Sequence, residues 1–177
     1  MLRFQQEDPA APAMAAMIRA HRRGLKKLAP TSPPESRHAL TLDELKAPEV
    51  TLWGLWDDDD LVGCVALKEV SHDHGEIKSM RTAPSHLRRG LASLMLDKVI
   101  EEARMRSYRR LSLETGSQPG FAPARQFYTR HGFTPCAPFA GYVEDPNSVY
   151  MTLAVFDDDR DDDRDDGLDG DLKEASR

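Results

Sequence analysis

Cysteines are scarce in this sequence, and long apolar runs are absent. Its two cysteines, Cys64 and Cys136, form no spacing typical of a metal site or of a disulfide framework. No apolar run approaches the roughly 18 residues of a membrane span, and residues 1–9 lack the apolar core of a signal peptide. We therefore expect a soluble, cytoplasmic protein that binds neither a metal nor a membrane.

Excess negative charge is confined to the end of the chain. The formal net charge is −6, but residues 157–177 alone carry ten Asp and one Glu against three Arg and one Lys, a net of −7. Residues 1–156 thus have 20 cationic and 19 anionic side chains, a net of +1. Nucleic-acid affinity depends on a basic surface, so we expect no nucleic-acid partner even though several arginines are clustered in sequence.

The acidic segment 157–177 predicts a disordered tail. Leu168 and Leu172 are its only large apolar side chains, too few to offset the entropy of ordering the chain. An EF-hand calcium loop would need a fixed order of ligands between two helices, and no flanking helices are expected for this segment. We predict one α/β domain over residues 1–156, followed by a solvated acidic tail over 157–177.

Hydrophobic periodicity and turn residues predict the order of elements in the domain. A strand is expected first, then a long helix and a short one, and then strands that two further helices interrupt. The expected strands cover 2–6, 51–56, 61–70, 75–83, 110–115, 133–138 and 148–155. The expected helices cover 10–28, 42–45, 89–106 and 121–131.

The segment 80–92, MRTAPSHLRRGLA, predicts an anion-binding site. Pro84 marks the end of an extended run, because the residue before a proline avoids helical geometry. Apolar residues recur at helical spacing from Leu91, so a helix begins close to that residue. The first N–H groups of a helix have no internal partner and attract anions. The Arg-Arg-Gly sequence at 88–90 adds positive charge and an open backbone, which suits a diphosphate.

A second segment, ARQFYTRHGF at 124–133, predicts a helix that ends at Gly132. Together the two segments resemble the signatures of the GCN5-related N-acetyltransferase (GNAT) family, and in particular a bacterial subgroup of acetyltransferases. The Gly and Ala positions of the family's pyrophosphate loop match at Gly90 and Ala92. The loop departs from the family at Leu87, where Gln or Arg is usual, and the second signature lacks the Asn that would fall at Phe121.

This resemblance implies both a fold and an activity. The fold is mixed α/β, a twisted and mostly antiparallel sheet of six to seven strands flanked by about four helices. The activity is transfer of an acetyl group from acetyl-CoA to a primary amine of a small molecule or peptide, by direct attack on the thioester. The alternative is a non-catalytic acyl-CoA sensor on the same fold. A homodimer is compatible with the family.

The resemblance also implies the residues that bind the coenzyme, and it gives Tyr128 the role of protonating the departing thiolate. Backbone and side chains of the last strand before the loop, of the loop itself and of the second signature would contribute. These coenzyme-binding residues are Met80, Arg81, Thr82, Leu87, Arg88, Arg89, Gly90, Leu91, Ala92, Ala124, Phe127 and Tyr128.

Glu76 is the first candidate for the general base. Strand alternation predicts that Glu76, Lys78, Met80 and Thr82 share one face, and Glu76 precedes the loop by one strand length. It would accept the amine proton directly or through a water molecule. Glu114, at the end of the next strand, is the rival base. The expected acceptor contacts are Ser36, Arg37, His38, Glu76 and Tyr142.

Overall fold

The computed structural model describes residues 1–156, in which seven strands and three α-helices follow one another. The strands are β1 (Leu2–Gln6), β2 (Val50–Asp57), β3 (Asp60–Ser71), β4 (His74–Thr82), β5 (Arg110–Gly116), β6 (Thr134–Cys136) and β7 (Ser148–Ala154). The helices are α1 (Pro12–Leu28), α2 (Leu91–Met105) and α3 (Ala122–Arg130). The predicted acidic tail, 157–177, lies outside the described residues.

All seven strands belong to one sheet, in the order β1-β2-β3-β4-β5-β7-β6. Neighbouring strands are antiparallel except β4 and β5, which are parallel and are joined through α2. Two parallel strands need such a crossover, because a tight turn reverses the direction of the chain and so joins only antiparallel strands. The mixed, mostly antiparallel sheet expected from the sequence is confirmed.

The short helix expected at 42–45 is a single 3₁₀ turn, Glu44–Lys46, so the described residues contain three α-helices rather than about four. Thr41 and Glu44 form a reciprocal cap in which each backbone N–H donates to the other's side chain, at 2.7 and 3.2 Å. Pro48 follows closely and disfavours helical geometry at the residue before it. The segment therefore ends before an α-helical turn can repeat.

Helices cover both faces of the sheet. Alternate residues of β3 feed two separate apolar clusters, since successive strand side chains point to opposite faces. Cys64 and Ala66 pack with Met14 and Ile18 of α1. On the other face, Val65 and Leu67 belong to the larger cluster, which contains residues of both α2 and α3. Each face of the sheet is thus covered by its own helices and its own apolar cluster.

A β-bulge in β4 changes which side chains face α1. Ala66 of β3 is opposite Lys78, and Cys64 is opposite Arg81. Two residues of β4 therefore lie opposite the single residue Val65 of β3. The extra residue is Ser79, whose φ is 53°. Because Cys64 and Ala66 both face α1, Lys78 and Arg81 do so too.

The bulge corrects the strand alternation expected from the sequence. Met80 packs against the core on the α2 and α3 side, so it does not share a face with Lys78. The sequence-based prediction of one face for Glu76, Lys78, Met80 and Thr82 is wrong because it assumed an uninterrupted strand. Beyond Ser79 the pattern of inward and outward side chains is shifted by one residue.

Strands β4 and β5 separate soon after they begin. Their pairing covers three positions and ends where Glu76 is opposite Ser112, although β4 continues to Thr82 and β5 to Gly116. Beyond that point the backbone N–H and C=O groups of the two strands form no hydrogen bonds with each other. This separation creates an opening through the middle of the sheet.

Candidate active site

A cavity of about 700 Å³ fills the opening between β4 and β5. Its wall includes the second half of α1, the segment 32–39 and the start of α3. Tyr128 lines it from the α3 side of the sheet, and His38 lines it from the α1 side. Its volume lies in the usual range for small-molecule sites, about 300–1,000 Å³, and it can receive reactants from both faces.

Tyr128 of α3 is held rigidly at the inner end of this cavity. Its ring makes edge contacts with Phe127 and Phe133, at centroid distances of 5.2 and 5.4 Å. Its hydroxyl lies 3.5 Å from the sulfur of Met80. Burial raises the pKa of the Tyr128 phenol well above its usual value, so the side chain carries its proton throughout the physiological pH range.

The start of α2 has the geometry expected of an anion-binding turn. Gly90 precedes the helix with a φ of 75°, and Arg88 is also left-handed, with a φ of 60°. The first helical bond, from the N–H of Leu94 to Gly90, leaves the N–H groups of 91–93 without an internal partner. A Cβ at Gly90 would meet no heavy atom within 4 Å. The glycine is therefore needed for its backbone conformation, and the space beside it is open.

The residues expected to bind the coenzyme fall into two groups. Met80, Ala124 and Tyr128 line the cavity. Arg81 also lines it, but the bulge turns its side chain toward α1, away from the face that α2 covers, which differs from the expected coenzyme contact. Outside it, Leu87, Arg88, Arg89 and Gly90 are exposed at the start of α2, while Thr82 and Ala92 are half-buried nearby. Leu91 is an exception, because its side chain is only 4% exposed and belongs to the core. Leu91 can therefore contribute only its backbone N–H.

Helix α3 lies directly against this turn. The Nε2 atom of His131 is 3.1 Å from the hydroxyl of Ser93 in the first turn of α2. Phe127 packs between Tyr128 and His131, with ring centroids 5.2 and 4.4 Å away. Phe127 thus supports the coenzyme side of the site by packing. On the exposed side of the turn, Arg89 is paired with Asp57 at 3.1 Å.

Glu76 is buried in a polar cluster beside the cavity. One of its oxygens accepts a hydrogen bond from the Tyr142 hydroxyl and lies 3.2 Å from the Lys78 ammonium, which also donates to Tyr142 at 2.8 Å. Only 3% of Glu76 is exposed, and it does not line the cavity, whereas Lys78 does. Neither Glu76 nor Tyr142 occupies the position expected of a direct acceptor contact. No sequence pattern predicted the contribution of Lys78, since a lysine on a strand is usually solvated.

Glu114 of β5 lines the cavity. Burial is the main reason that its pKa is raised, to about 7. The charge of Lys78 opposes this shift, and the charges of Glu76 and Asp145 add to it. A carboxyl group with a pKa near neutrality is well suited to accept a proton at physiological pH. Glu114 thus brings a carboxyl group of near-neutral pKa to the cavity, whereas Glu76 is buried outside it.

The segment 32–39 brings the three other expected acceptor contacts, Ser36, Arg37 and His38, to the cavity wall. The His38 ring makes an edge contact with Tyr142 at 4.9 Å. Burial and the nearby charge of Lys78 lower the pKa of His38, so its imidazole is neutral at pH 7.

Two polar side chains, Gln118 and Asn147, connect this segment to the rest of the site. Gln118 donates to the hydroxyl of Ser32 at 2.9 Å and to the side-chain oxygen of Asn147 at 3.2 Å. Both Gln118 and Asn147 line the cavity. They lie in connections without regular periodicity, and no sequence signal predicted their meeting.

Replacing Gly116 with alanine should disturb the cavity wall. A Cβ at this position would lie 2.3 Å from the ring of Phe121, and both residues line the cavity. We expect a loss of about 1–3 kcal/mol in the free energy of unfolding, the usual cost of overpacking, and weaker coenzyme binding. Denaturant unfolding and calorimetry measure the two effects.

Gly141→Ala is the matched control for Gly116→Ala, because a Cβ there meets nothing within 4 Å. Equal stability of the two variants would contradict the close packing of Gly116 on Phe121.

Within residues 1–156, no helix is long and apolar enough to cross a membrane. No group of three or more His, Cys, Asp or Glu side chains in that part of the chain is placed to hold a metal ion.

Comparisons with known proteins relate the chain to one family and one fold. The acetyltransferase (GNAT) family matches residues 15–133. The chain is 52% identical over 146 residues to the uncharacterized N-acetyltransferase YsnE of Bacillus subtilis, covering 82% of this chain and 95% of that protein. It is 45% identical over 155 residues to the uncharacterized N-acetyltransferase YedL of Escherichia coli, covering 88% and 96%. The crystal structure of PaiA N-acetyltransferase from Thermoplasma acidophilum in complex with coenzyme A matches with a TM-score of 0.67 at 14% identity, covering 87% and 99%.

Proposed function

The chain belongs to the acetyltransferase (GNAT) family and is an acetyl-CoA-dependent N-acetyltransferase, and we propose that its acceptor is a primary amine of a small molecule or peptide. One observation supports this proposal above the others. A single cavity joins a protonated phenol, Tyr128, to a carboxyl group of near-neutral pKa, Glu114. These are the acid and the base that direct acetyl transfer to an amine requires.

The donor acetyl-CoA would occupy the opening between the strands. Its diphosphate would bind the free N–H groups at the start of α2, beside Arg88. Its pantetheine amides would pair with the backbone of Met80 and Thr82, as an added strand would. This arrangement would direct the thioester toward Tyr128 and Glu114.

The chemistry then needs two proton transfers. Glu114 accepts a proton from the amine, directly or through water, as the amine nitrogen bonds to the acetyl carbonyl carbon. The carbon–sulfur bond breaks, and Tyr128 gives its proton to the departing thiolate. The products are the N-acetylated acceptor and free coenzyme A.

Glu76, Lys78 and Tyr142 support this reaction as positioning residues. Their mutual hydrogen bonds fix the Lys78 ammonium at the cavity wall, where its charge limits the rise in the Glu114 pKa. A non-catalytic acyl-CoA sensor would need neither Glu114 nor Tyr128, and nothing in the comparisons favours one.

Binding of acetyl-CoA at the start of α2 is tested by two substitutions at Gly90. Both Gly90→Glu and Gly90→Ala carry the strain of a left-handed backbone, about 1–2 kcal/mol, but only Gly90→Glu adds a carboxylate beside the diphosphate. We expect calorimetry to show at least about a tenfold weaker Kd for Gly90→Glu than for Gly90→Ala, the effect of roughly 1.4 kcal/mol. Equal affinities would place the diphosphate elsewhere.

Acetyl transfer itself is tested by release of free thiol from acetyl-CoA across a panel of amines, amino acids and peptides, with mass spectrometry of the products. Release that depends on the amine, with a mass increase of one acetyl group, is the expected result. A panel in which no amine is acetylated would contradict the proposed acceptor class.

Two further expectations stay predictions. Use of acetyl-CoA suits a cytoplasmic location, which cell fractionation can test. A homodimer can be tested by analytical ultracentrifugation at several protein concentrations.

A further inference from the structure

We propose that the acceptor amine carries a carboxylate, which binds to a cationic wall on the α1 side of the cavity. This inference rests on the proposed acetyl transfer and adds the chemical class of the acceptor. The cationic wall consists of the side chains of Arg22, Arg23, Lys26, Arg37 and Arg81, which all line the cavity.

The positive charge of the cationic wall is not compensated within residues 1–156. None of its five side chains makes an ion pair with a described residue. Arg37 donates only to the backbone carbonyl of Ser32, at 2.7 Å. Glu114 is the one acidic residue of the described chain that lines the cavity. A concave surface with cations of one sign concentrates its field and attracts anions.

Arg81 is the residue of the cationic wall that most clearly lacks a hydrogen-bond acceptor. Its Nε atom is buried and has no hydrogen-bond partner among the described residues. The guanidinium lies beneath α1 at Gly24, where a Cβ would be 3.1 Å from Arg81 Nη1. A buried donor without an acceptor is costly, and a guanidinium pairs best with a planar, two-oxygen anion. A carboxylate entering the cavity would supply that acceptor.

Neighbouring groups respond to this positive charge. His21 also lines the cavity, and burial together with the charge of Arg81 lowers its pKa to about 4. His21 is therefore neutral at pH 7 and adds no charge to the wall. Lys78 is already paired with Glu76 at 3.2 Å, so it leaves the charge of the wall unchanged.

The phosphates of the coenzyme are not the counterion of the cationic wall. Helix α1 packs on the sheet face of Cys64 and Ala66, whereas α2, whose first turn would bind the diphosphate, packs on the opposite face. Arg81 is opposite Cys64 across the strands and so faces α1. The wall thus lies on the side from which the acceptor would enter.

Pairs of acceptors that differ only in the carboxylate test the proposal. We would compare each L-amino acid with its α-amide, using thiol release at saturating acetyl-CoA. In every pair that is acetylated, we expect the acid to have a kcat/KM about 10- to 150-fold higher, the range for one hydrogen bond to a charged group. Equal values, or a preference for the amides, would overturn the proposal.

Substitutions in the cationic wall test its location. Arg81→Gln and Arg37→Gln should each raise the KM of the acid without raising that of the amide or of acetyl-CoA. Arg88→Gln, at the coenzyme turn, is the control and should raise only the KM of acetyl-CoA. A raised acetyl-CoA KM in Arg81→Gln would assign the wall to the coenzyme and overturn the proposal.

A binding measurement separates failure of this proposal from failure of acetyl transfer. Calorimetric titration of the coenzyme A-saturated protein with N-acetyl amino acids and N-acetyl amino amides needs no turnover. Tighter binding of the acids would support the carboxylate site even if no amine released thiol. Equal binding of both, or no binding of the acids, would overturn it while leaving acetyl transfer to be judged by the thiol assay.

Discussion

Glu114→Gln should lower kcat by about 10²- to 10⁴-fold, the usual contribution of a positioned general base. Glutamine keeps the shape of the side chain and loses only its ability to accept the amine proton. The wild-type kcat should rise with pH through about 7, because the raised pKa keeps Glu114 protonated below that value. The variant should lose this acidic limb. Stopped-flow or steady-state thiol release from pH 5 to 9 measures both effects.

Glu76→Gln is the matched control, since it makes the same chemical change one strand away. Removing the Glu76 charge takes away one influence that raises the Glu114 pKa and leaves the opposing Lys78 charge in place. The acidic limb should therefore persist and move to lower pH. A limb that is abolished in Glu76→Gln and preserved in Glu114→Gln would reverse the assignment of the base.

The same pKa predicts how stability depends on pH. The folded protein raises the pKa of Glu114 from 4.5 to about 7, so the native state favours the protonated form. The contribution of protonated Glu114 to the free energy of unfolding is fully present below about pH 4.5 and is lost as the pH rises through 7. The Tm of the wild type should thus fall relative to that of Glu114→Gln between pH 5 and 8. This measurement is independent of activity.

Tyr128→Phe should lower kcat by about 10- to 1,000-fold with little change in coenzyme binding. The substitution removes the proton donor and preserves the ring, which makes edge contacts with Phe127 and Phe133. Stability should hardly change, because the hydroxyl's contact with the Met80 sulfur, at 3.5 Å, is a weak one. Single-turnover kinetics separate the chemical step from coenzyme binding.

Tyr108→Phe is a suitable control for Tyr128→Phe. Tyr108 is also buried, and its hydroxyl donates to Glu69 at 3.0 Å, but it does not line the cavity. The Tyr108→Phe variant should lose some stability and keep its kcat. Full activity of Tyr128→Phe would leave the thiolate to be protonated by water.

The regular elements and the coenzyme side of the site were predictable from the sequence. The bounds of β1 and β5 follow from short segments in which apolar and polar residues alternate, and the start of α2 follows from the Arg-Arg-Gly turn. Local patterns carry this information because strand and helix periodicities depend on neighbouring residues alone.

The acceptor side was less predictable, because it depends on contacts between distant segments. The cluster of Glu76, Lys78 and Tyr142 joins residues up to 66 positions apart, and burial of Glu76 cannot be read from a strand pattern. Glu114 differs from Glu76 chiefly in lining the cavity, which only the separation of β4 from β5 determines. The Ser79 bulge also had no sequence signal, since a serine with positive φ is uncommon.

The bulge at Ser79 has a consequence for how acceptor preference can evolve. Lys78 and Arg81 lie on one side of β4, with Met80 on the other. On the assignment proposed above, substitutions at 78 and 81 would change the selectivity for the amine and leave the donor pocket around Met80 unchanged. The one extra residue of the bulge would thus allow donor specificity and acceptor specificity to change through separate substitutions.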